Sequence, residues 1–417
     1  GVDTATPSIA GVSDPGQASF YSRPYRFIRV QKSVEIPGKT VRKINNSAFG
    51  PAGMGMREIL GYAPIQPDGS VQIQVPANVP FTIDIVDINA KRITAQHTSW
   101  LQLLPGETKS CNGCHNTANM TSHGRAGLTA AVNTGAPTTG RPFPNTNTAL
   151  FANVSETMAK TLSRLTCSAN GTTPSGATTP CSQILSQDVV YDGIWTANTT
   201  PKQTDAAFAY TYSGVAGLAE SPPTNSNCAS WTAQCRITIH YDIDPVKQLF
   251  MQSVWSLATR TNTVNGVAMT PTTCTNCHNP VKMAMVQVPQ GQLDLSGTAS
   301  NVDPTVVTSY EELLFAHNAQ TLNMGVLQDL LVPAPGPPDP VTGLPTTIMV
   351  PVQLAPPMAA GSAAASTTFF RMFDGSFHDP VLDHTGYLSP AELRLIAEWL
   401  DIGAQFYNDP FVAPAAN

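Results

Sequence analysis

The stretch that decides the reading is "SCNGCHN", residues 110–116, which nearly recurs as "TCTNCHN", residues 273–279. The two copies of C-x-x-C-H use four of the eight cysteines and two of the eight histidines. This pentapeptide is the attachment signature of c-type haem. Two thiols at this spacing add across the two vinyl groups on one edge of the porphyrin, and the histidine that follows is held beneath the iron as proximal ligand. The spacing predicts one haem c on Cys111 and Cys114 with His115 on the iron, and a second on Cys274 and Cys277 with His278. Chance is a weak competitor, since composition alone gives roughly three such pentapeptides per thousand chains. Two other readings stay open on spacing alone. A structural zinc site needs four ligands in one cluster, and a thioredoxin-like pair needs a β-α-β setting that neither motif has.

Outside the motifs stand Cys167, Cys181, Cys228 and Cys235. Of their three pairings, Cys167 with Cys181 and Cys228 with Cys235 closes the shortest loops and is the one expected. Disulfides and covalent haem both point outside the cytoplasm, to the periplasm or the cell surface. No apolar run approaches the ~20 residues of a membrane span. The opening "GVDTATPSIAGV" lacks the regions of a signal peptide, so the expectation is either a removed leader or the later part of a longer precursor. The net charge is only -6, and no run of like charges occurs, so neither a nucleic-acid partner nor a basic membrane-binding face is expected.

Charged residues make up 12% of the 417 residues, while Pro (36) and Gly (30) are abundant, which predicts long irregular connections. The fold class expected is mixed α+β: a β-sandwich-like domain over 1–104, a first haem c domain with the disulfides over 105–270, and a cytochrome c-like second haem domain over 271–417. In the first, Val71, Ile73 and Val75, then Phe81, Ile83 and Ile85, alternate onto one face, with an Asp68-Gly69 turn before them. His97 and Trp100 fall on a strand leading to the first motif, and "CRITIHYDI" reads as a strand holding His240. A helix is expected over about 154–165, with Met158, Leu162 and Leu165 on one face. Ser309 and Glu312 have capping-box spacing before a short helix containing His317. Residues 332–366 read as an irregular excursion. In "YLSPAELRLIAEWLDIGAQF", Ser389 is the N-cap, Pro390 the first helical residue and Glu392 the partner in the capping box. Leu388 staples to Leu393, the buried stripe is Leu393, Ile396, Ala397 and Leu400, and Gly403 ends the helix.

An electron-carrying haem is usually six-coordinate, so each iron needs a second axial His or Met. The remaining histidines are His97, His123, His240, His317, His378 and His384. His97 and His123 travel with the first motif. His384, just before the last helix, is the candidate for the second haem, with Met372 as its rival; a methionine ligand would raise the potential.

Several stretches together, "REILGYAPIQPDGSVQIQVPANVPFTIDIVD", "SWLQLLPGETKSCNGCH", "SHGRAG", "GRPFPNT" and "LSPAELRLIAEWLDIGAQFYNDP", resemble the middle and C-terminal haem regions of bacterial proteins related to the hydrazine synthase alpha subunit. The resemblance runs from about residue 40 to the end and implies their fold and two-haem layout, with a two-histidine electron-transfer haem at the C-terminal site. It also implies a catalytic middle haem, whose iron takes a tyrosine four residues past the motif histidine while that histidine turns to zinc. Four residues past His115 stands Asn119, and no tyrosine occurs before Tyr191, so the chain departs from that pattern. The propeller that precedes the middle domain in that family is also missing from these residues.

The function expected is therefore electron transfer by an extracytoplasmic di-haem c-type cytochrome, with redox proteins or other cytochromes as partners, in a homo- or hetero-oligomer or larger redox assembly. The alternative is a haem enzyme, hydrazine synthase-like or peroxidase-like, with the first haem as its open site.

Overall fold

The computed structural model describes residues 9–44, 46–97, 99–111, 139–197, 208–215, 239, 241, 251–257, 263–264, 267–268, 273–282, 284–377, 383–407 and 409–415. The chain is mixed α/β with small antiparallel sheets, and it divides into two compact units. The first comprises Gly1–Val34, Arg57–Gly214 and Pro222–Thr238; the second comprises Glu35–Met56, Val215–Ser221 and Ile239–Asn417.

The first unit is built on β1 (Phe27–Ser33), which pairs antiparallel with β2 (Arg57–Pro64) on one side and β3 (Phe81–Val86) on the other. Alternation sorts the side chains. Ile28 and Val30 join Leu60, Phe81, Val12 and Leu185 in an apolar core, while Arg29 and Asp84 pair on the opposite face, fully buried, at 2.8 Å. Gln31 also donates to Asp84, and Arg57 donates to Gln31 and lies over the Trp100 ring. A buried charge without partners is very costly, so this network fixes the register of all three strands. β2 carries a register shift opposite Val30 and Gln31. Gly61 lies there with φ +146, where a Cβ would stand 2.8 Å from the Ser186 carbonyl oxygen.

Ile83 and Ile85 face the apolar core as expected. Val71, Ile73 and Val75 pack against the same core but belong to no strand; the Gln74 N–H instead bonds the Gln183 carbonyl. The described residues of this region thus form one three-stranded sheet backed by irregular chain, rather than two facing sheets. The Asp68-Gly69 turn is present, with Gly69 at φ +80, and it has a second role. Asp68 Oδ2 accepts from the Met158 N–H at 2.9 Å and Ser70 Oγ from the Ala159 N–H at 2.9 Å, so the turn caps α1 (Met158–Thr166) across the fold. Thr157 is the local N-cap. Met158 and Leu162 are buried with Phe143 and Trp195, but Leu165 is 43% exposed, because the buried face runs through Thr161 and Thr166. Cys167 follows and is bonded to Cys181.

The second unit centres on an aromatic cluster of Tyr241, Tyr310, Trp399 and Phe406. Around it lie α2 (Met251–Ser256), α3 (Thr308–Leu314), α4 (Thr367–Arg371) and α5 (Pro390–Asp401). The capping box of Ser389 and Glu392 forms, with Pro390 in the first turn. α5 is buried on more than a stripe: Leu395, Ile396, Ala397, Trp399 and Leu400 are all inaccessible, while Leu393 is half-buried. The chain leaves α5 through Gly403 at φ +114.

Three expectations are corrected in this unit. Ser309 and Glu312 form no capping box, since Val307 is the N-cap of α3 and Ser309 lies inside it, bonded to Gln252 and Tyr241. His317 is not helical; His317–Asn318 pairs with Gln353–Leu354. Just before residues 332–366, β4 (Gln320–Asn323) pairs with β5 (Val326–Asp329), and 332–366 are not irregular throughout, since β6 (Leu331–Pro335) pairs with β7 (Thr347–Pro351). Each is a two-stranded ladder, so every strand keeps a free edge on which Pro333, Pro335 and Pro351 are tolerated. No described helix is long and apolar enough to cross a membrane.

Candidate functional site

The second motif sits on one tight turn. Cys274–Asn276 is a 3-10 helix; the Cys277 N–H bonds the Cys274 carbonyl at 3.2 Å and the His278 N–H bonds it at 2.9 Å. Cys274 and Cys277 are both half-buried. A returning segment holds the turn from below: the Gln290 N–H donates to the Cys277 carbonyl at 3.0 Å and the Leu295 N–H to the His278 carbonyl at 2.9 Å. Gly291, at φ +63, makes the bend between them, and a Cβ there would meet His278 Cε1 at 3.8 Å.

Facing His278 is His384, brought in by the loop before α5. The two imidazole centroids lie 6.2 Å apart, with their planes at 41°. The Phe373 ring packs 5.9 Å from His384 on one side and the Tyr387 ring 5.6 Å on another. Burial holds the His278 pKa below its usual value and the charge of His384 lowers it further, while the backbone at Gln290 and Leu293 acts in the opposite direction. The neutral imidazole, the form that ligates a metal, is therefore favoured. Tyr387 is raised, by burial first and then by the charges of Cys277, Cys274 and Asp383.

Ring spacing tests which group these residues fit. A metal–imidazole bond is about 2.0–2.1 Å and the ring centre lies about 1.1 Å behind its nitrogen, so two imidazoles on one tetrahedral zinc put their centroids about 5 Å apart. On opposite sides of a single iron the same bonds give about 6.3 Å. The observed 6.2 Å matches the second arrangement. Among the described residues, no three His, Cys, Asp or Glu side chains converge to hold a metal ion, so Cys274, Cys277, His278 and His384 are not gathered as a zinc cluster. Two cysteines on one turn, one imidazole after them and another across an aromatic-lined gap are donors of the types that a covalently held haem takes.

The other candidates fall as follows. Met372 is half-buried at the end of α4, its N–H bonded to the Phe369 carbonyl, and it has no described contact with His278. Cys111 is an exposed free thiol. His97 lies outside any strand, half-buried, with Nδ1 2.6 Å from the Ser99 carbonyl oxygen and its own carbonyl accepting from Thr82. Cys114, His115, His123, Cys228, Cys235, His240 and His378 lie outside the described residues. Motif reading missed Phe373 and Tyr387; the one available signal was that Tyr387 stands three residues after His384. It also missed Glu312, whose Oε2 accepts from the Asp294 N–H close to the second motif.

Residues 25–116 match the family described as "Hydrazine synthase alpha subunit middle domain". No curated protein matches the chain. Among solved structures, a chain of Kuenenia stuttgartiensis hydrazine synthase aligns with a TM-score of 0.48 at 16% identity, over 94% of this chain and 41% of that one. This chain thus corresponds to well under half the length of that relative. By the family match, the chain is related over residues 25–116 to the middle domain of the hydrazine synthase alpha subunit.

Proposed function

We propose that the chain is an extracytoplasmic di-haem c-type cytochrome of hydrazine synthase alpha-like descent that transfers electrons within a larger redox assembly. The observation that carries this is the His278–His384 pair at 6.2 Å, beside two cysteines on one turn. On this reading Cys274 and Cys277 hold the second porphyrin by thioether bonds, and His278 and His384 are its axial ligands in preference to Met372. Cys111, Cys114 and His115 hold the first, with His97 or His123 as far ligand, and Cys228 pairs with Cys235. The fold then comprises a β-rich region over 1–104 and haem regions over 105–270 and 271–417. A haem so bound supplies a one-electron couple at its iron. The protein's part is to keep His278 neutral by burial, to fix His384 between Phe373 and Tyr387, and to exclude water with the same rings. With an imidazole on each side, the second site keeps no position open for a substrate. Its partners are redox proteins or other cytochromes.

A second reading is a haem enzyme acting at the first site, as the name of the relative suggests. It is favoured by the family match, which ends on the first motif at residue 116. Asn119 stands against it, in the place of the tyrosine expected from the resemblance. Spectra of the oxidised and reduced protein with and without carbon monoxide separate the two. Two low-spin haems that ignore the gas support electron transfer; a high-spin component that binds it supports catalysis. A denatured chain with the mass of the bare polypeptide would overturn both. His384→Ala is expected to turn the second haem high-spin and leave the first unchanged; an unaltered spectrum would remove His384 from the iron.

A further inference from the structure

The segment that closes beneath the second motif gathers three titratable groups. The Asp294 N–H donates to Glu312 Oε2 on α3, and Asp294 Oδ1 accepts from the Ser296 N–H at 2.8 Å. Two residues earlier the Gln292 carbonyl meets His317 Nε2 at 2.9 Å, and Gln292 is clamped to Gln320 by bonds of 3.0 and 2.7 Å. Each end of the same short segment is hydrogen-bonded to the motif, at the Cys277 and His278 carbonyls. Glu312 is thus one backbone step from the residue that grips His278. Asp294 is 8% exposed, whereas Glu312 is half-buried and keeps a route to solvent. No Lys or Arg occurs between Lys282 and Arg371, so this part of the chain provides no fixed cation to hold the carboxylate ionised.

We propose that Glu312 is a proton acceptor coupled to the second site, taking up one proton when an electron arrives there and releasing it when the electron leaves. The inference rests on the electron-transfer reading above. One electron comes from an external redox donor and reduces the iron by one charge; one proton comes from solvent and converts the Glu312 carboxylate to the neutral acid, on the oxygen not engaged by the Asp294 N–H. Reoxidation returns both. Added negative charge at the site disfavours a nearby carboxylate, and partial burial weakens the screening between them. The groups facing Glu312 are Asp294, whose N–H favours the ionised form while its carboxylate favours the neutral one, and His317, whose charge favours the ionised form; Glu311 lies beside it on α3, itself raised by burial and by Asp303. Burial, as the larger cause, brings Glu312 to about 7, so both protonation states are accessible near neutrality.

The test is spectroelectrochemistry of the full haem-loaded chain as a function of pH, with infrared difference spectra of the same sample. The midpoint potential of the second haem is expected to fall as pH rises from about one unit below 7 to about one unit above it, and this slope to vanish in Glu312→Gln. In the wild type, reduction is expected to produce a protonated-carboxyl band that shifts in heavy water and is lost in the variant. A haem present at Cys274 and Cys277 with a pH-independent potential, a slope that survives Glu312→Gln, or no carboxyl band in the wild type would each overturn the coupling. A chain with no haem at those cysteines would overturn the electron-transfer reading instead. If the variant fails to fold, the wild-type slope and band still decide.

Discussion

Arg164 grips Glu156 with two nitrogens, Nε to one oxygen and Nη2 to the other, each at 2.9 Å, while the Asn153 N–H and Thr161 hydroxyl donate to the same carboxylate. The Arg164 hydrogen bond is the main reason the Glu156 pKa drops to about 2. Glu312 is displaced in the opposite direction, to about 7, chiefly by burial. The two carboxyls therefore leave opposite marks on stability. For Glu156 the folded form binds fewer protons than the unfolded one between 4.5 and about 2, so its contribution is complete above 4.5 and lost as pH falls through that window. For Glu312 the folded form binds more protons between 4.5 and about 7, so its contribution is complete below 4.5 and lost as pH rises through about 7. Denaturant unfolding across pH reads both. Glu156→Gln is expected to cost about 1–3 kcal/mol at neutral pH and to flatten the acid limb; Glu312→Gln is expected to be more stable than wild type above pH 7 and no more stable below 4.5. An acid limb unchanged by Glu156→Gln would mean that the Arg164 clamp is preserved in the unfolded ensemble.

At the scale of elements, legibility followed how local each cause is. α5 was readable because its start is written in the consecutive residues from Leu388 to Glu392: Ser389 caps, Pro390 opens, and Glu392 closes the box back onto the cap. Its buried residues were harder, because Leu395 and Trp399 lie off the predicted stripe, and Trp399 packs into the aromatic cluster, which no local period encodes. The same spacing at Ser309 and Glu312 misled, since Ser309 is claimed by Tyr241 and Gln252, and Glu312 by Asp294. The β4–β5 hairpin was hidden by a turn of atypical composition. Met324 and Gly325 both have positive φ, 50° and 81°, the geometry that favours Asn-Gly, yet Met324 is 99% exposed and buries nothing. Met324→Asn is expected to stabilise the hairpin by about 0.5–1 kcal/mol through relief at that position, read as slower amide exchange across β4 and β5. Ser389→Ala should cost about 1 kcal/mol in denaturant unfolding; a cost near zero would show that packing of α5 makes its cap redundant.

Over the whole molecule, what consecutive residues spell was legible and most of the long-range assembly was not. C-x-x-C-H stands within five residues, and the place of His384 just before α5 marked it as the partner of His278, whereas the meeting of the Asp68 turn with α1 depends on how distant segments are folded against each other. The Cys167–Cys181 bond lies between these cases: loop closure favoured it, and the structure contains it. It follows α1 directly, and its sequence separation of 14 leads on to Leu185 and Ser186, which pack on and hydrogen-bond to β2. The bridge therefore ties the end of a helix to the segment that reinforces the sheet. Constraining a loop of about 15 residues contributes about 3 kcal/mol, chiefly by limiting the unfolded chain. If that constraint is what holds this part of the first unit, reduction, or Cys167→Ser with Cys181→Ser, should raise amide exchange in 158–191 by about a hundredfold, since each 1.36 kcal/mol is tenfold. Exchange that stays unchanged after reduction would mean that the packing of Leu185 on β2 and the capping of α1 by Asp68 and Ser70 already keep the two ends together, leaving the disulfide no loop entropy to remove.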